Sequence, residues 1–70
     1  MKAPIKFMVT KDGQAAEREG DIGITVGDLL DQMGLFPDSH IVLLNGTPVP
    51  ITTMIRPGYK LKIVKVASGG

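Results

Sequence analysis

The sequence predicts one small α+β domain, in which a mixed sheet of four to five strands packs on a single helix. Two patterns of apolar residues and the length of the chain support this prediction. Apolar residues alternate with period two near both ends of the chain, and a segment between them has the apolar spacing of one helix face. A chain of 70 residues is the size of one domain, and its core is modest because only about 60% of the unfolded surface is buried at this length.

The chain begins with a predicted β-hairpin. Ile5, Phe7 and Val9 alternate with their neighbours in the manner of a strand that has one buried face. Residues 11–13 have turn chemistry, and their glycine can adopt a positive φ. The return strand is predicted over 14–19. Its sequence, QAAERE, is also compatible with a helix, but a charged strand at a sheet edge prevents sheets from joining, so we predict an edge strand.

One helix follows, with a single apolar stripe. The stripe consists of Val26, Leu29, Leu30 and Met33. Thr25 is the predicted N-cap, and Asp28 stands three residues on, in the capping-box position. Gly34 is predicted to close the helix in a left-handed conformation, with Leu35 packing back and Pro37 preventing continuation. A helix this short must be stabilised by packing on the sheet.

The second half of the chain predicts three strands. Residues 41–44 form a short apolar run, predicted to be a strand buried on both faces or nearly so. Asn45-Gly46 is a strong hairpin signal, and the partner strand over 47–50 belongs at an edge because it contains two prolines. Residues 51–55 have no firm assignment, and a Pro-Gly turn occupies 56–59.

The last strand completes the sheet. In the run KLKIVKV, Leu61 and Ile63 are predicted to face the helix. A right-handed crossover through the helix makes the first and last strands parallel neighbours at the centre. The charged strand and the proline-containing strand then lie at the two edges, where each is tolerated.

Composition and charge exclude several classes of function. The chain has no cysteine, which excludes disulfides, iron–sulfur clusters and cysteine-type zinc sites. No signal peptide or membrane-spanning run is recognisable, so we expect a cytoplasmic protein. All seven acidic residues lie within 12–38, and every charged residue after Asp38 is basic. Because basic residues are sparse and aromatics few, the pattern argues against nucleic-acid binding and favours a solvated strand face.

The end of the chain suggests a function. It reads VASGG, a small-residue tail after a strong strand. The element order and the stretches TVGDLLDQMG, VLLNGTPVP and IRPGYKLKIVKVASGG resemble the ubiquitin-like β-grasp family, in particular the sulfur carriers of the thiamine, molybdopterin and tRNA-thiolation pathways and the small archaeal modifiers. The resemblance implies a β-grasp domain over 1–66 and a flexible tail over 67–70, ending in the activation site Gly69 and Gly70. It leaves the pathway open.

The resemblance also implies a chemistry. An activating enzyme uses ATP to adenylate the Gly70 carboxylate, and a sulfur donor then converts the acyl-adenylate to a thiocarboxylate. Gly69 and Gly70 lack a Cβ, which permits the close backbone approach of a narrow channel. We therefore expect no bound cofactor, no metal site and no catalytic residue in this chain, which is a carrier and not an enzyme.

Two alternatives to the sulfur carrier remain. A protein modifier would be joined through the same Gly70 to lysines of target proteins. A β-grasp module that binds RNA or a protein partner without conjugation is supported only by the basic second half of the chain. It gives no reason for the two terminal glycines. We expect a monomer in each case.

The sheet face opposite the helix is the predicted docking surface, since nothing covers it. By strand parity it carries Lys6, Met8, Lys60, Lys62 and Val64. Parity alone leaves open whether Val42 and Leu44 or Ile41 and Leu43 join them. An apolar centre ringed by lysines suits a partner that has acidic residues around an apolar patch, and the resemblance to ubiquitin supports Val64 in particular. Alternatively, Met8 and Val64 are scattered surface apolar residues.

The remaining polar residues give no catalytic constellation. His40, the single histidine, is predicted to be a solvated loop residue, since no second histidine or cysteine could join it in a metal site. Asp28 is interpreted as the helix cap and Asp31 as a solvent-facing residue. Ser68 has no base partner and is not predicted to be a nucleophile.

Overall fold

A computed structural model describes residues 3–66, which form one five-stranded mixed sheet packed on a helix. The elements in chain order are β1 (Pro4–Lys11), β2 (Gln14–Asp21), α1 (Val26–Gln32), a short 3₁₀ turn (Pro37–Ser39), β3 (His40–Leu44), β4 (Thr47–Val49) and β5 (Lys60–Lys65). The strand order across the sheet is β2-β1-β5-β3-β4. The predicted fold class and element order are confirmed.

The centre of the sheet is the parallel pair of β1 and β5, as predicted. Val9 lies beside Leu61, and Met8 lies beside Lys60. The other three pairings, β1 with β2, β3 with β4 and β3 with β5, are antiparallel. Both edges are the predicted ones, because β2 and the proline-containing β4 stand at the ends of the order.

The first hairpin is a two-residue turn followed by a true strand. Asp12 and Gly13 have φ of 54° and 78°, the geometry that matches the twist of a tight hairpin. The Lys11 Nζ lies 2.8 Å from Asp12 Oδ2. That hydrogen bond and the ammonium charge lower the pKa of the Asp12 carboxyl. Residues 14–21 pair with β1 without interruption, so the preference for strand over helix is confirmed.

The helix begins and ends at the predicted residues. The Asp28 N–H donates to Thr25 Oγ1 at 3.2 Å, and the Thr25 N–H donates to Asp28 Oδ2 at 3.0 Å, which completes a capping box. Gly34 takes a φ of 72°, and the N–H of Leu35 then donates to the carbonyl of Leu30 at 2.9 Å. These terminal bonds matter because α1 has only seven residues.

Thr25→Ala should lower the free energy of unfolding by about 1 kcal/mol, because the N–H of Asp28 loses its hydroxyl acceptor. Urea unfolding followed by circular dichroism measures the change. Thr25→Ser keeps the hydroxyl and serves as the matched control. If both variants lost the same stability, the effect would come from the lost methyl group and not from the cap.

The core lies between the helix and the inner face of the sheet. Val26, Leu29 and Leu30 of the helix are almost completely buried. They pack with residues of alternate parity from the three central strands and with two residues outside the strands: Ile5, Phe7, Val9, Ile24, Val42, Ile55, Leu61 and Ile63. One helix covers one face of the sheet, and this leaves the opposite face to solvent.

The prediction that 41–44 is buried on both faces is wrong. Val42 is buried, whereas its neighbour Ile41 is 40% exposed. A fully apolar strand would require cover on both sides, and the part of the chain that the structure describes has one α-helix to supply it. The apolar outward residues of β3 therefore belong to the surface.

The segment over 51–55 joins the helix to the sheet. The N–H of Gly27 donates to the carbonyl of Ile51 at 2.8 Å, and the N–H of Ile55 donates to that of Ile24 at 2.8 Å. A Cβ on Gly27 would stand 3.2 Å from the Ile51 oxygen, so a side chain there would crowd this backbone contact. The close approach explains a glycine in the first turn of a short helix, where its helix propensity is poor.

Candidate functional site

The face of the sheet opposite the helix, called the open face below, collects every residue predicted for docking. The pairing register places Met8 beside Lys60, Lys62 beside Leu43, and Val64 beside Ile41. Paired residues share a face, so Ile41 and Leu43, and not Val42 and Leu44, join the predicted set. The open face is built from Lys6, Met8, Ile41, Leu43, Lys60, Lys62 and Val64, and Glu17, Glu19 and Asp21 of β2 border it on the same side of the sheet.

The open face has an apolar strip formed by Ile41, Leu43 and Val64, and the lysines of the central strand β5 separate this strip from Met8 on β1. Ile41 is exposed, while Leu43, Val64 and Met8 are half-buried by their neighbours on the sheet. Lys6, Lys60 and Lys62 are exposed, and within residues 3–66 none of them forms a salt bridge. Glu19 of β2 lies opposite Lys6 on the same side of the sheet. Lys60 and Lys62 are therefore the lysines best placed to attract an acidic partner, and the apolar strip can supply the contact area.

The described part of the domain ends one residue after β5, at Val66. β5 is the central strand, and directly after it the N–H of Val66 donates to the carbonyl of Ser39 at 2.9 Å. The chain is therefore anchored up to the last residue that the structure describes. The predicted activation site, Gly69 and Gly70, lies outside the described residues, as does Ser68.

His40 has a different role from the predicted one. It is the first residue of β3 and is half-buried, not a solvated loop residue. Its Nδ1 lies 2.9 Å from the carbonyl oxygen of Phe36 and 3.0 Å from Ser39 Oγ. The N–H of Ser39 donates to the same carbonyl at 3.1 Å. His40 thus fastens the 3₁₀ turn that anchors Val66. The Pro-Asp-Ser-His sequence was the available signal for this turn, since proline favours the start of a helical turn.

The remaining polar groups lie as the sequence indicates. Asp28 is the helix cap, and Asp31 is exposed. In the described part of the chain, no three metal-ligating side chains come together. Over the same residues, no helix has the length and apolar character needed to cross a membrane.

Comparison with known proteins identifies the family. The model of the ThiS family matches residues 8–70, a range that includes the terminal glycines and every residue of the open face except Lys6. An uncharacterized protein of Archaeoglobus fulgidus is 34% identical over 70 residues, and the alignment covers 100% of each chain.

Solved structures share the fold. Caldiarchaeum subterraneum ubiquitin superposes with a TM-score of 0.70 and 20% identity, covering 97% of this chain and 100% of its own. The ubiquitin-like domain of an Arabidopsis thaliana protein superposes with a TM-score of 0.71 and 13% identity, covering 96% of this chain and 82% of its own. With the fold shown by the structures and the family match spanning most of the sequence, the chain belongs to the ThiS family of ubiquitin-like sulfur carriers.

Proposed function

We propose that this protein carries sulfur as a thiocarboxylate at Gly70, after adenylation of that carboxylate by an activating enzyme. The family match carries the proposal, because it extends through Gly69 and Gly70 and not only over the folded body. The protein is then the substrate of a catalyst and supplies no base, metal or oxyanion hole of its own.

The proposed reaction has two steps. A carboxylate oxygen of Gly70 attacks the α-phosphorus of ATP, which forms an acyl-adenylate and releases pyrophosphate. Hydrosulfide then attacks the acyl carbon, the bond to AMP breaks with AMP as the leaving group, and the thiocarboxylate remains. Both steps need the terminal carbonyl deep in the partner's site, and glycine permits this because it has no side chain to collide with the channel.

The geometry of the domain supports such a use of the tail. The hydrogen bond from Val66 to Ser39 fixes the point from which the tail departs. Four residues follow Val66, and a fully extended chain of that length reaches about 14 Å. A partner that binds the folded body can therefore place its ATP site within a defined distance.

The open face is the proposed docking surface for the activating enzyme. Its apolar strip includes Ile41 and Val64, and the exposed lysines Lys60 and Lys62 lie beside this strip on the central strand. Interfaces of this kind combine an apolar core with charges at the rim that guide association. The partner's matching surface should carry an apolar patch with acidic residues around it.

Lys62→Glu should slow association with the activating enzyme of the same organism about tenfold at low ionic strength, since one steering charge is reversed. Stopped-flow association rates at two salt concentrations measure the effect. Lys65→Glu makes the same charge change on the same strand with the opposite parity, beside His40 and not on the open face. Equal slowing by both variants would indicate that only net charge matters and that the open face is not the docking surface.

The sulfur-carrier proposal is tested by intact mass. N-terminally tagged protein, purified gently from its own cells, should include a species in which sulfur replaces one oxygen. Incubation with the activating enzyme, ATP and sulfide should produce the same species from unmodified protein. Failure of this reaction, together with cellular forms joined to whole target proteins, would replace the carrier by the modifier. Trypsin cleavage after Lys65 would then leave Val-Ala-Ser-Gly-Gly on the target lysines.

A further inference from the structure

Within residues 3–66, the edge of the sheet at β2 is open from Ala15 to Glu19, whereas the carbonyl of Asp21 accepts from the N–H of Ile24 at 3.0 Å. β2 stands at one end of the strand order and has eight residues, all paired one-to-one with β1, without bulge or proline. The opposite edge, β4, has three residues and is interrupted by Pro48. A proline and a short length block the addition of a further strand, and β2 has neither protection.

The direction of the free backbone groups follows from the hydrogen bonds of β1. The N–H of Met8 donates to the carbonyl of Tyr59 at 2.8 Å, so this N–H points toward β5 and away from β2. Glu17 is directly opposite Met8. In an antiparallel pair, two opposed residues either exchange both hydrogen bonds or none. The N–H and C=O of Glu17 therefore point outward from the edge.

The same reasoning applies to every second residue of β2. The carbonyl of Lys6 accepts from the N–H of Gly58 at 2.8 Å, so Glu19, opposite Lys6, also presents its backbone groups at the edge. The alternation extends to Ala15. Within residues 3–66, no hydrogen bond from another part of the chain reaches the backbone of these three residues.

A recess adjoins this edge on the helix side of the sheet. It has a volume of about 440 Å³ and is lined by Val9, Ala16 and Met33 and by the polar residues Lys11, Asp12, Gln14 and Arg18. The recess exists because the helix covers the centre of the sheet and Ala16 is too small to fill the space above β2. The inward side chains of an added strand would lie over this recess.

Charge determines which strand fits. Glu17, Glu19 and Asp21 are exposed on the same face of β2, which is the face away from the helix. A second copy of β2 would bring its own carboxylates against them, and like charges on paired strands are destabilising. A strand with lysines or arginines on that face would instead be attracted to the carboxylates of β2.

We propose that β2 binds an extended segment of a partner protein as a sixth strand of the sheet. The segment carries basic side chains on the face away from the helix and apolar side chains over the recess. The proposal does not depend on thiocarboxylate formation, since it uses neither Gly70 nor the apolar strip of the open face. Recognition through a free strand edge gives affinity from main-chain hydrogen bonds and specificity from alternate side chains.

The probe for this proposal is a capped synthetic peptide of alternating valine and lysine, and the control peptide has glutamate in place of lysine. Hydrogen exchange on the full-length protein is followed by NMR. With the lysine peptide, the amides of Ala15, Glu17 and Glu19 should gain protection, while those of Ala16 and Arg18, which already pair with β1, should not change. Protection confined to the open face, or the same response to both peptides, would overturn the proposal.

Two variants separate the contribution of backbone hydrogen bonds to peptide binding from the contribution of side-chain charge. Ala15→Pro removes one outward N–H and no ladder bond to β1, so the fold should persist and peptide binding should fall at least about tenfold. Glu17→Lys with Glu19→Lys leaves the backbone unchanged; it should weaken the lysine peptide about tenfold and should bind the glutamate peptide better than the original protein does. Asp38→Lys reverses an exposed charge in the 3₁₀ turn and not on β2, and it is the control for a change of net charge. If the double variant showed no exchange of preference, charge pairing at this edge would be disproved even if Ala15→Pro did not fold.

Discussion

Phe7→Ala is expected to remove about 3–5 kcal/mol from the free energy of unfolding, the largest effect of any single truncation in the core. Phe7 is the largest of the fully buried side chains and is 2% exposed. Domains have roughly 0.05–0.15 kcal/mol of stability per residue, so the total free energy of unfolding of a chain this small is of the same order as the loss from Phe7→Ala. Urea unfolding followed by circular dichroism should show a much lower midpoint, or no folded baseline at all.

The chain provides its own control for this prediction. Phe36, the second of two phenylalanines, is 75% exposed. Phe36→Ala deletes the same atoms, and the stability should change by no more than about 0.5 kcal/mol because little apolar surface leaves or enters water. Comparable losses in the two variants would mean that Phe36 is buried in solution, and the described packing of the 3₁₀ turn would be incorrect.

The elements that the sequence predicts well are those with local causes. Thr25 and Asp28 form a cap because of their spacing, and Asn45-Gly46 forms a hairpin because both residues tolerate positive φ. The edge position of β2 was also predictable, although its composition is poor for a strand, because the alternative layout would leave charged residues at the sheet centre. Local and global preferences agree for these elements.

The features that the sequence did not predict depend on distant parts of the chain. Ile41 lies at the surface because the helix covers the other face of β3, and the four-residue apolar run contains no sign of this. His40 is an exception, because it is held by the carbonyl of Phe36 only four residues away, but this contact exists only when the 3₁₀ turn is formed. The partners of 51–55 are Ile24 and Gly27, which no periodicity in that segment could indicate.

The residues of the candidate site also fall into two groups: those that the sequence predicts and those that only the pairing of distant strands identifies. Parity placed Lys6, Met8, Lys62 and Val64 on one face of the sheet, because alternation is a property of the strand itself. The contribution of β3 required the register between β3 and β5, which pairs Ile41 with Val64. The open backbone of β2 required the hydrogen bond between Met8 and Tyr59, a contact between residues 51 positions apart in the sequence.

Deletion of Gly69-Gly70 should abolish activation and leave the fold unchanged. The deleted residues lie beyond Val66, whose bond to Ser39 is the last described contact of the domain. The shortened chain still ends in a carboxylate, now on Ser68, so a loss of activity would come from reach and side-chain bulk and not from the absence of a carboxylate. ATP–pyrophosphate exchange by the activating enzyme should fall to background, while the amide NMR spectrum of the domain is retained.

Two full-length variants separate the effect of tail length on activation from the effect of side-chain size in the tail. Gly69→Val keeps the length and the terminal carboxylate but adds a branched side chain next to the reacting residue, and exchange should fall at least about a hundredfold if the channel requires close backbone approach. Ala67→Gly with Ser68→Gly changes the same number of side-chain heavy atoms at the two positions before Gly69. It should leave ATP–pyrophosphate exchange nearly unchanged. Full exchange by the deletion variant would show that the two terminal glycines are not required for activation. Retained function of the deletion variant in cells would go further: the glycines would then have no part in the function, and the β-grasp body would act as a binding module through its open face or its β2 edge.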